Sequence, residues 1–252
     1  MKHPYHIVDY SPWPFTCSVG ALFLTTGTAR WFNNHGQGLM IMGGCIILVT
    51  LYQWWRDVGR EGTFQGKHSL AVENGLRLGF ILFIVSEIFF FFSFFWAFFH
   101  NSLSRPWPPA GIKAVPPFGV PLYNTFILLF SGVTVTMAHL ALLRGWVSVA
   151  SLALFLTVEL GVLFSQKQYY EYLHCSFTIA DSVFGRTFFL TTGFHGLHVL
   201  IGTAFLFVIF VRHLKGYHSR SHHFGFEASA WYWHFVDVVW LFLFFSMYWW
   251  GS

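Results

Sequence analysis

Six ionisable side chains stand inside long apolar segments of the sequence: Glu87, Glu159, His195, His198, His234 and Asp237. If those segments cross a membrane, a charged group at such a position costs at least ~2.5 kcal/mol on insertion scales, so each is a candidate functional residue that needs a partner. Carboxyl and imidazole groups also carry protons and ligate metals in proteins. The chemistry of this chain is therefore to be sought first at these six positions.

Glu87 lies in the segment ILFIVSEIFFFFSFF, ten residues after Arg77. A helix rises about 1.5 Å per residue, which places Glu87 roughly 15 Å deep, at the middle of a bilayer. Its sequence neighbours are Ser86 and apolar residues, an environment that favours the neutral carboxyl. Two hypotheses remain open: a reactive carboxyl accessible to protons, or a neutral acid hydrogen-bonded to another helix.

Glu159 lies at a similar depth in FLTVELGV, with Thr157 and Gly161 beside it. A threonine hydroxyl offers a hydrogen bond, and a glycine permits close approach of another helix. The sequence therefore favours a structural hydrogen bond at Glu159 over a chemical role.

Two further motifs each place polar groups three residues apart, on one face of a helix. His195 and His198 in TTGFHGLHV would suit a metal or a haem, but the two glycines of the motif favour close helix packing with the imidazoles bonded across it. His234 and Asp237 in WYWHFVDVVW would form a proton relay or, as the sequence favours, a buried structural pair.

The richest polar cluster is the segment HLKGYHSRSHHFGFE, which contains Arg212, Lys215, His218, Arg220, His222, His223 and Glu227. Basic pockets between helices bind phospholipid headgroups, whereas a solvated loop would only set topology. A second charged segment, WWRDVGREGTFQGKH, is predicted on the same side of the membrane, so the two segments would build one headgroup site together. Both interpretations remain open.

An enzyme remains the alternative to a non-catalytic subunit that packs lipid and partner helices. HSRSHH has the HxxxH spacing of membrane di-iron enzymes, but no second histidine box accompanies it. Haem would need two histidines at matching depth on different helices, and no pattern among His139, His195, His198 and His234 selects a pair. We therefore expect no catalytic residue, no haem and no metal in this chain.

These residues must be positioned by membrane helices. Of the 252 residues, 55% are hydrophobic and only 10% are charged, against about a quarter in soluble domains. Seven stretches approach the roughly 20 apolar residues that a bilayer requires. They run from 14 to 32, 38 to 55, 75 to 100, 123 to 143, 147 to 169, 184 to 214 and 228 to 250. A charged loop from 56 to 74 and a Pro-rich loop from 101 to 122 are predicted between them.

Lysine and arginine are distributed unevenly across the two predicted sides. The N-terminal side collects nine: Lys2, Arg56, Arg60, Lys67, Arg77, Arg144, Arg212, Lys215 and Arg220. The other side collects five: Arg30, Arg105, Lys113, Lys167 and Arg186. By the positive-inside rule the N-terminus faces the compartment of synthesis. No basic stripe with stacked aromatics suggests nucleic acid, and three scattered cysteines imply no disulfide framework.

Several long motifs resemble the subunit III family of the haem-copper oxidases, in its seven-helix mitochondrial form. They are YQWWRDVGREGTFQGKH, SEIFFFFSFFWAFFHNSL, WPPAGI, TGFHGLHVLIG and HHFGFEASAWYWHFVDVVWLFLFFSMYWWGS. The resemblance covers essentially the whole chain. It differs from the vertebrate pattern in a shorter loop from 101 to 122 and a shorter connection near 144 to 147, which puts only partner contacts there in doubt.

The resemblance implies an all-α membrane fold, with a two-helix unit and its matrix loop (1–74) splayed from a five-helix bundle (75–252) around a lipid-filled cleft. It implies that Glu87 is a buried carboxyl reactive to carbodiimides. It also implies that the cleft is lined by Trp55, Arg60, Glu61, His68, Arg212 and His222. The lipids would include cardiolipin or phosphatidylglycerol.

The same resemblance implies a location and partners. We expect a multi-pass protein of the mitochondrial inner membrane, with its N-terminus in the matrix. Haem and copper would lie in subunits I and II, and accessory subunits would complete the complex. The expected function is a non-catalytic core subunit that supports subunit I in electron transfer from cytochrome c to oxygen, coupled to proton pumping.

Overall fold

The computed structural model describes residues 3–103 and 107–252, and the described chain is all-helical. The helices are α1 Trp13–Phe32, α2 Gly38–Thr63, α3 Leu70–Ser102, α4 Val120–Arg144, α5 Val147–Leu173, α6 Val183–Leu214 and α7 Phe224–Leu243. A π-helical turn, Phe244–Trp249, continues α7. The all-α class and the seven predicted helices are confirmed. Lys2 and Arg105 of the charge count, with part of the RPWPP motif, lie outside the described residues.

Within the described residues, six helices are long and apolar enough to cross a membrane: α2 to α7, the last together with its π-helical turn. The chain is therefore a multi-pass membrane protein. Helix α1 is less apolar because it carries four threonines and Arg30 within its 20 residues. That α1 also spans the membrane is part of the function proposed for the chain.

The predicted charged loop from 56 to 74 is wrong in most of its length. Helix α2 continues through the charged residues to Thr63, and α3 already begins at Leu70, so only residues 64–69 connect them. Likewise α7 begins at Phe224, before the predicted start at residue 228. The length of an apolar segment reflects only the thickness of the hydrocarbon core. A helix can continue into the polar headgroup region, where water and side chains form hydrogen bonds with the backbone groups at its ends.

The chain divides into two compact units, Met1–Leu76 and Arg77–Ser252. In the first unit, α1 packs along α2. A Cβ atom added to Gly27 would lie 2.3 Å from the backbone nitrogen of Met40, and one added to Gly43 equally close to that of Leu24. Only glycine permits this approach of two helix backbones.

The first unit also fixes its N-terminal segment. Trp13 Nε1 donates to Asp57 Oδ2 at 2.8 Å, and Lys67 Nζ lies 2.8 Å from Asp9 Oδ2. The hydrogen bond from the Lys67 ammonium holds the pKa of the exposed Asp9 carboxyl below its ordinary value. These contacts tie the residues before α1 to the end of α2 and the segment that follows it.

In the second unit, α4 packs against α5 and α7, α5 against α6, and α6 against α7. Two fully buried indoles lie between them, and each has a hydrogen-bond acceptor. Trp233 Nε1 donates to Ser131 Oγ at 2.8 Å, and Trp240 Nε1 donates to Thr125 Oγ1 at 2.9 Å. A buried indole N–H needs such a partner, so these two bonds fix the rotation of α7 against α4.

Close packing of α6 occurs at a different glycine from those predicted. Added Cβ atoms on Gly193 and Gly196 would meet nothing within 4 Å, whereas one on Gly202 would lie 3.0 Å from the Trp233 ring. Among the described residues, helix packing therefore does not involve the glycines beside the histidines, although both imidazoles bond to neighbouring helices. Tight contact with α7 lies about two turns further along, where the large indole needs the space.

Candidate functional site

The Glu87 carboxyl is paired with a histidine from another helix. Glu87 Oε2 on α3 lies 3.0 Å from His198 Nε2 on α6, and 22% of the Glu87 side chain is exposed. Both residues lie near the middle of their helices. The sequence motifs of these two helices thus meet at one point in the apolar part of the second unit.

The hydrogen bonds of His198 determine where its protons lie. His198 Nδ1 is 2.7 Å from the carbonyl oxygen of Phe194, which only accepts, so Nδ1 carries a hydrogen. In a neutral imidazole Nε2 is then a bare acceptor, and the Glu87 carboxyl must donate to it. In the charged form the same proton lies on His198. Either way the pair holds one proton and has no net charge, which lowers its cost inside a membrane.

Aromatic rings surround this pair. The rings of Phe91, Tyr232 and Phe235 lie 5.0, 6.2 and 6.3 Å from the His198 ring, and Phe90 stacks at 6.3 Å. These contacts bring α3, α6 and α7 together. They keep the His198 side of the pair in an apolar shell, where a hydrogen bond is stronger than in water.

His195 has a different partner from His198. Its Nε2 donates to the Val236 carbonyl oxygen of α7 at 3.2 Å, and its ring lies against Phe164 and Trp240. Its buried Nδ1 has no hydrogen-bond partner within the described residues. The two histidines of the motif therefore bond to different groups, and their geometry is that of helix packing.

His234 and Asp237 lie on the face of α7 that meets α4. His234 Nδ1 is 3.8 Å from Asp237 Oδ2, which is an ion-pair distance, and His234 Nε2 is 3.2 Å from Thr136 Oγ1. A Cβ atom on Gly132 would lie 2.8 Å from Asp237 Oδ2, so the glycine leaves room for this carboxyl. The two residues link α7 to α4.

Glu159 faces outward from the second unit. It is exposed and lines an open groove of about 660 Å³ between α5 and α6, together with Ser165, Gln166 and Thr203. No described residue of this chain forms a hydrogen bond with it. The hydrogen bond that the sequence favoured for Glu159 is therefore not formed among the described residues.

Four residues predicted to contact lipid lie in the first unit. Trp55 is exposed near the end of the apolar part of α2, at 68% of its full accessible area. Arg60 is exposed and Glu61 half-buried in the last turns of the same helix. His68 packs over Gly62, where an added Cβ atom would lie 2.6 Å from His68 Nδ1. An indole below a charged helix end is the arrangement typical of a membrane surface.

The other two predicted lipid residues lie in the second unit. Arg212 is half-buried in the last turn of α6, with its guanidinium 5.5 Å from the Tyr217 ring centre, and His222 is half-buried before α7. His218 lies between them in the chain. Burial, and next the Arg212 charge, lowers the pKa of His218 to about 4, so this imidazole is neutral at pH 7.

Two polar clusters were not predicted from the sequence, although His139, His223 and Glu227 were each considered singly. At the end of α5, buried Glu171 Oε1 accepts from Tyr248 at 2.6 Å and from Gln168 at 3.1 Å. Near the start of α7, His139, His223 and Glu227 converge. The four-residue spacing of His223 and Glu227 is a visible signal, but the third member lies 84 residues before His223 and follows no pattern.

The whole chain matches known proteins of one kind. The family model described as Cytochrome c oxidase subunit III matches residues 3–252. The chain is 60% identical to cytochrome c oxidase subunit 3 of Anopheles gambiae, over 100% of this chain and 98% of the relative. It is 58% identical to that of Drosophila melanogaster with the same coverage, and 57% identical to that of Salmo salar over 99% of this chain and 98% of the relative.

The chain belongs to the cytochrome c oxidase subunit III family. The resemblance found in the motifs is thereby confirmed over the full length. As a member of the subunit III family, the chain is part of the oxidase complex of the respiratory chain, together with other subunits. Its Glu87–His198 pair is a contact inside a subunit of that complex.

Proposed function

We propose that this chain is the non-catalytic core subunit of its oxidase, binding structural phospholipids and supporting subunit I. Subunits I and II would hold the haem and copper, and subunit I would pass electrons from cytochrome c to oxygen while protons are pumped. The observation that carries this proposal is the use of the intramembrane histidines in helix contacts. His198 bonds Glu87, His195 bonds the Val236 carbonyl, and His234 bonds Thr136.

Glu87→Gln tests the non-catalytic assignment. The glutamine amide can donate to His198 Nε2 as the protonated carboxyl does, so the packing should survive. Reduction of the haems by cytochrome c in the purified complex should stay within about twofold of wild type. Loss of haem reduction, in a complex that retains all its subunits, would contradict the assignment and favour an enzymatic role for this chain.

The proposed location is the mitochondrial inner membrane, with all seven helices spanning and the N-terminus in the matrix. The nine-to-five distribution of Lys and Arg supports this orientation. Protease added to the intermembrane-space side of intact mitoplasts should leave the segment around Lys215 uncut. Cleavage there from that side would reverse the orientation.

The proposed lipid site is a cleft between the first two helices and the other five, as the family resemblance implies. Trp55, Arg60, Glu61 and His68 would line it from one unit, and Arg212 and His222 from the other. Exposed Trp55, near the end of the apolar part of α2, and half-buried Arg212, in the last turn of α6, support the proposal. The ligand would be an anionic phospholipid such as cardiolipin or phosphatidylglycerol.

Arg212 variants test the lipid site against a matched control. A guanidinium donates two parallel hydrogen bonds to a phosphate, which an ammonium does not reproduce. Arg212→Lys should therefore lower the number of retained phospholipids, counted by native mass spectrometry of the purified complex, and Arg212→Ala should lower it further. Turnover should also decay sooner over many cycles.

Arg144 provides the control. It too lies in the last turn of a helix, with its guanidinium 5.1 Å from an aromatic ring centre, that of Trp146, and alternate crossing places it on the same side as Arg212. Arg144→Lys should leave the lipid count unchanged. Unchanged lipid in both Arg212 variants, or equal loss in Arg144→Lys, would mean that Arg212 only sets topology.

A further inference from the structure

Three ligand atoms converge where α4 meets the start of α7. His139 Nε2 lies 3.3 Å from His223 Nε2, and His223 Nε2 lies 3.6 Å from Glu227 Oε1. All three atoms lie within 4.8 Å of one another. The His223 side chain is 6% exposed and that of Glu227 is 16% exposed, so the cluster is shielded but reachable.

Among the described residues, the hydrogen bonds around the cluster leave too few donors for the lone pairs of its ligand atoms. His223 Nδ1 donates to the Ser219 carbonyl oxygen at 3.0 Å, so Nε2 of neutral His223 is a bare acceptor. His139 Nε2 can supply one hydrogen to it. Glu227 Oε1 then faces the same point with no donor among the described residues, since its distance of 3.6 Å from His223 Nε2 is too long for a hydrogen bond. A bound cation would satisfy all three lone pairs at once.

The spacing of the two imidazoles fits a tetrahedral Zn²⁺ ion. Tetrahedral Zn²⁺ with bonds of about 2.0–2.1 Å places two nitrogen ligands about 3.3–3.4 Å apart, as the two imidazoles are here. The outer contacts are also those of a metal site, where a ligating histidine donates its other N–H to a carbonyl and a ligating carboxylate is itself hydrogen-bonded. Here the Ser219 carbonyl oxygen accepts from the other nitrogen of His223, Nδ1. Arg77 Nε donates to the second oxygen of Glu227, Oε2, at 3.0 Å.

We propose that His139, His223 and Glu227 bind a Zn²⁺ ion, with the fourth position open to water or to an external ligand. The inference goes beyond the proposed function and does not depend on it. It revises the expectation that the chain holds no metal. That expectation rested on the positions of the histidines along the sequence, which do not show that α4 and α7 bring His139 and His223 together. The ion would be redox-inert, so the proposed absence of haem and copper is unaffected.

The direct test uses the purified wild-type oxidase complex after dialysis against a chelator and then against Zn²⁺ alone. A map of anomalous scattering at the zinc edge should show a peak about 2 Å from both His139 Nε2 and His223 Nε2. Zinc found only at other sites of the complex would overturn the proposal.

Titration with radioactive Zn²⁺ provides the second measurement. His139→Gln and His223→Gln should each remove one bound ion per complex, or raise the zinc concentration for half-occupancy at least ~10-fold. The control is His174→Gln, which changes an exposed histidine at the end of α5, outside the cluster, and should bind zinc as wild type does. Equal binding by wild type and both cluster variants would also overturn the proposal, because it would assign the zinc to other groups.

Discussion

Glu87 and Glu159 both stand near the middle of their helices but in opposite surroundings. Glu87 has an imidazole partner from α6 at 3.0 Å, whereas Glu159 lies exposed on an open groove beside the same helix. If depth alone mattered, a charge on either carboxyl would carry the same free-energy cost of insertion. The packing of the helices decides which of them is neutralised inside the chain and which depends on its surroundings in the complex.

The reason lies in the faces of α5. Successive residues of a helix are about 100° apart, so Thr157 and Glu159 point about 200° from each other. Thr157 Oγ1 lies 2.8 Å from Thr134 Oγ1 in the contact with α4, and Gly161 faces Thr203 and Trp233. The two residues that suggested a hydrogen bond for Glu159 thus serve other contacts.

The largest expected difference is in labelling by a hydrophobic carbodiimide, which needs a protonated carboxyl. In the intact complex Glu87→Gln should abolish labelling of this chain, because its carboxyl is held beside a shared proton. Glu159→Gln should leave labelling unchanged. An unpartnered carboxyl at this depth is costly enough that we expect a donor from a neighbouring subunit to bind Glu159 and cover it. Peptide mass spectrometry of the labelled chain makes the measurement.

Label remaining on Glu159 in the Glu87→Gln complex would contradict the predicted difference between the two carboxyls. It would mean that the groove between α5 and α6 faces lipid, and that the two carboxyls are equally accessible. Label remaining on neither residue in the wild type would show that the proton of the Glu87–His198 pair is out of reach of the reagent.

The next difference is in stability. His198→Leu leaves the Glu87 carboxyl without an acceptor in an apolar shell, which should cost about 1–3 kcal/mol. Glu159→Gln keeps an oxygen that can accept from the donor expected in a neighbouring subunit, so it should be near neutral. Thermal midpoints of the complex compare the two, and Glu87→Gln, which keeps a donor to His198, is the control. An equal loss in His198→Leu and Glu159→Gln would contradict the assigned partners.

Much of this arrangement was predictable because membrane helices leave a strong apolar signal. Seven helices, the family and the position of Glu87 near the middle of α3 followed from segment length and motifs. The end of α2 did not, since a helix can continue past the hydrocarbon boundary to Thr63. The partners of Glu87 and His139 did not either, because residues 111 and 84 positions apart meet only through the rotation of packed helices.

A smaller effect is expected on the inner face of α5. Thr157→Val keeps the volume and removes the hydroxyl that bonds Thr134 and the Ala153 carbonyl, so it should cost on the order of 1 kcal/mol. The matched control is Ser151→Ala, which removes an exposed hydroxyl of the same helix and should cost less. A neutral Thr157→Val would show that α5 is rotated in the complex, with Glu159 turned inward.

The smallest expected effect contrasts His198, which has a carboxyl partner, with His218, whose buried Nδ1 has no partner within the described residues. Burial, followed by the charge of Arg212 and the nearby His213, His223 and His222, lowers the pKa of His218 from 6.5 to about 4. Below pH 6.5 the unfolded chain gains a proton there and the folded chain does not, so the free energy of unfolding falls as the pH drops toward 4. Above pH 6.5 this contribution is complete and constant.

His218→Gln should remove that dependence because glutamine does not titrate. At pH 6 the loss attributable to His218 should be below about 1 kcal/mol, seen as a smaller drop in the thermal midpoint of the variant complex between pH 7.5 and 6. Between pH 8 and 7.5 the two complexes should change in parallel, which controls for other titrating groups.

A drop at pH 6 equal to that of wild type would mean that the imidazole is already charged in the folded chain. An anion beside Arg212 and His218, such as a lipid phosphate, would produce that result, because it would favour the imidazolium. The experiment therefore also connects the buried histidine to the proposed headgroup site.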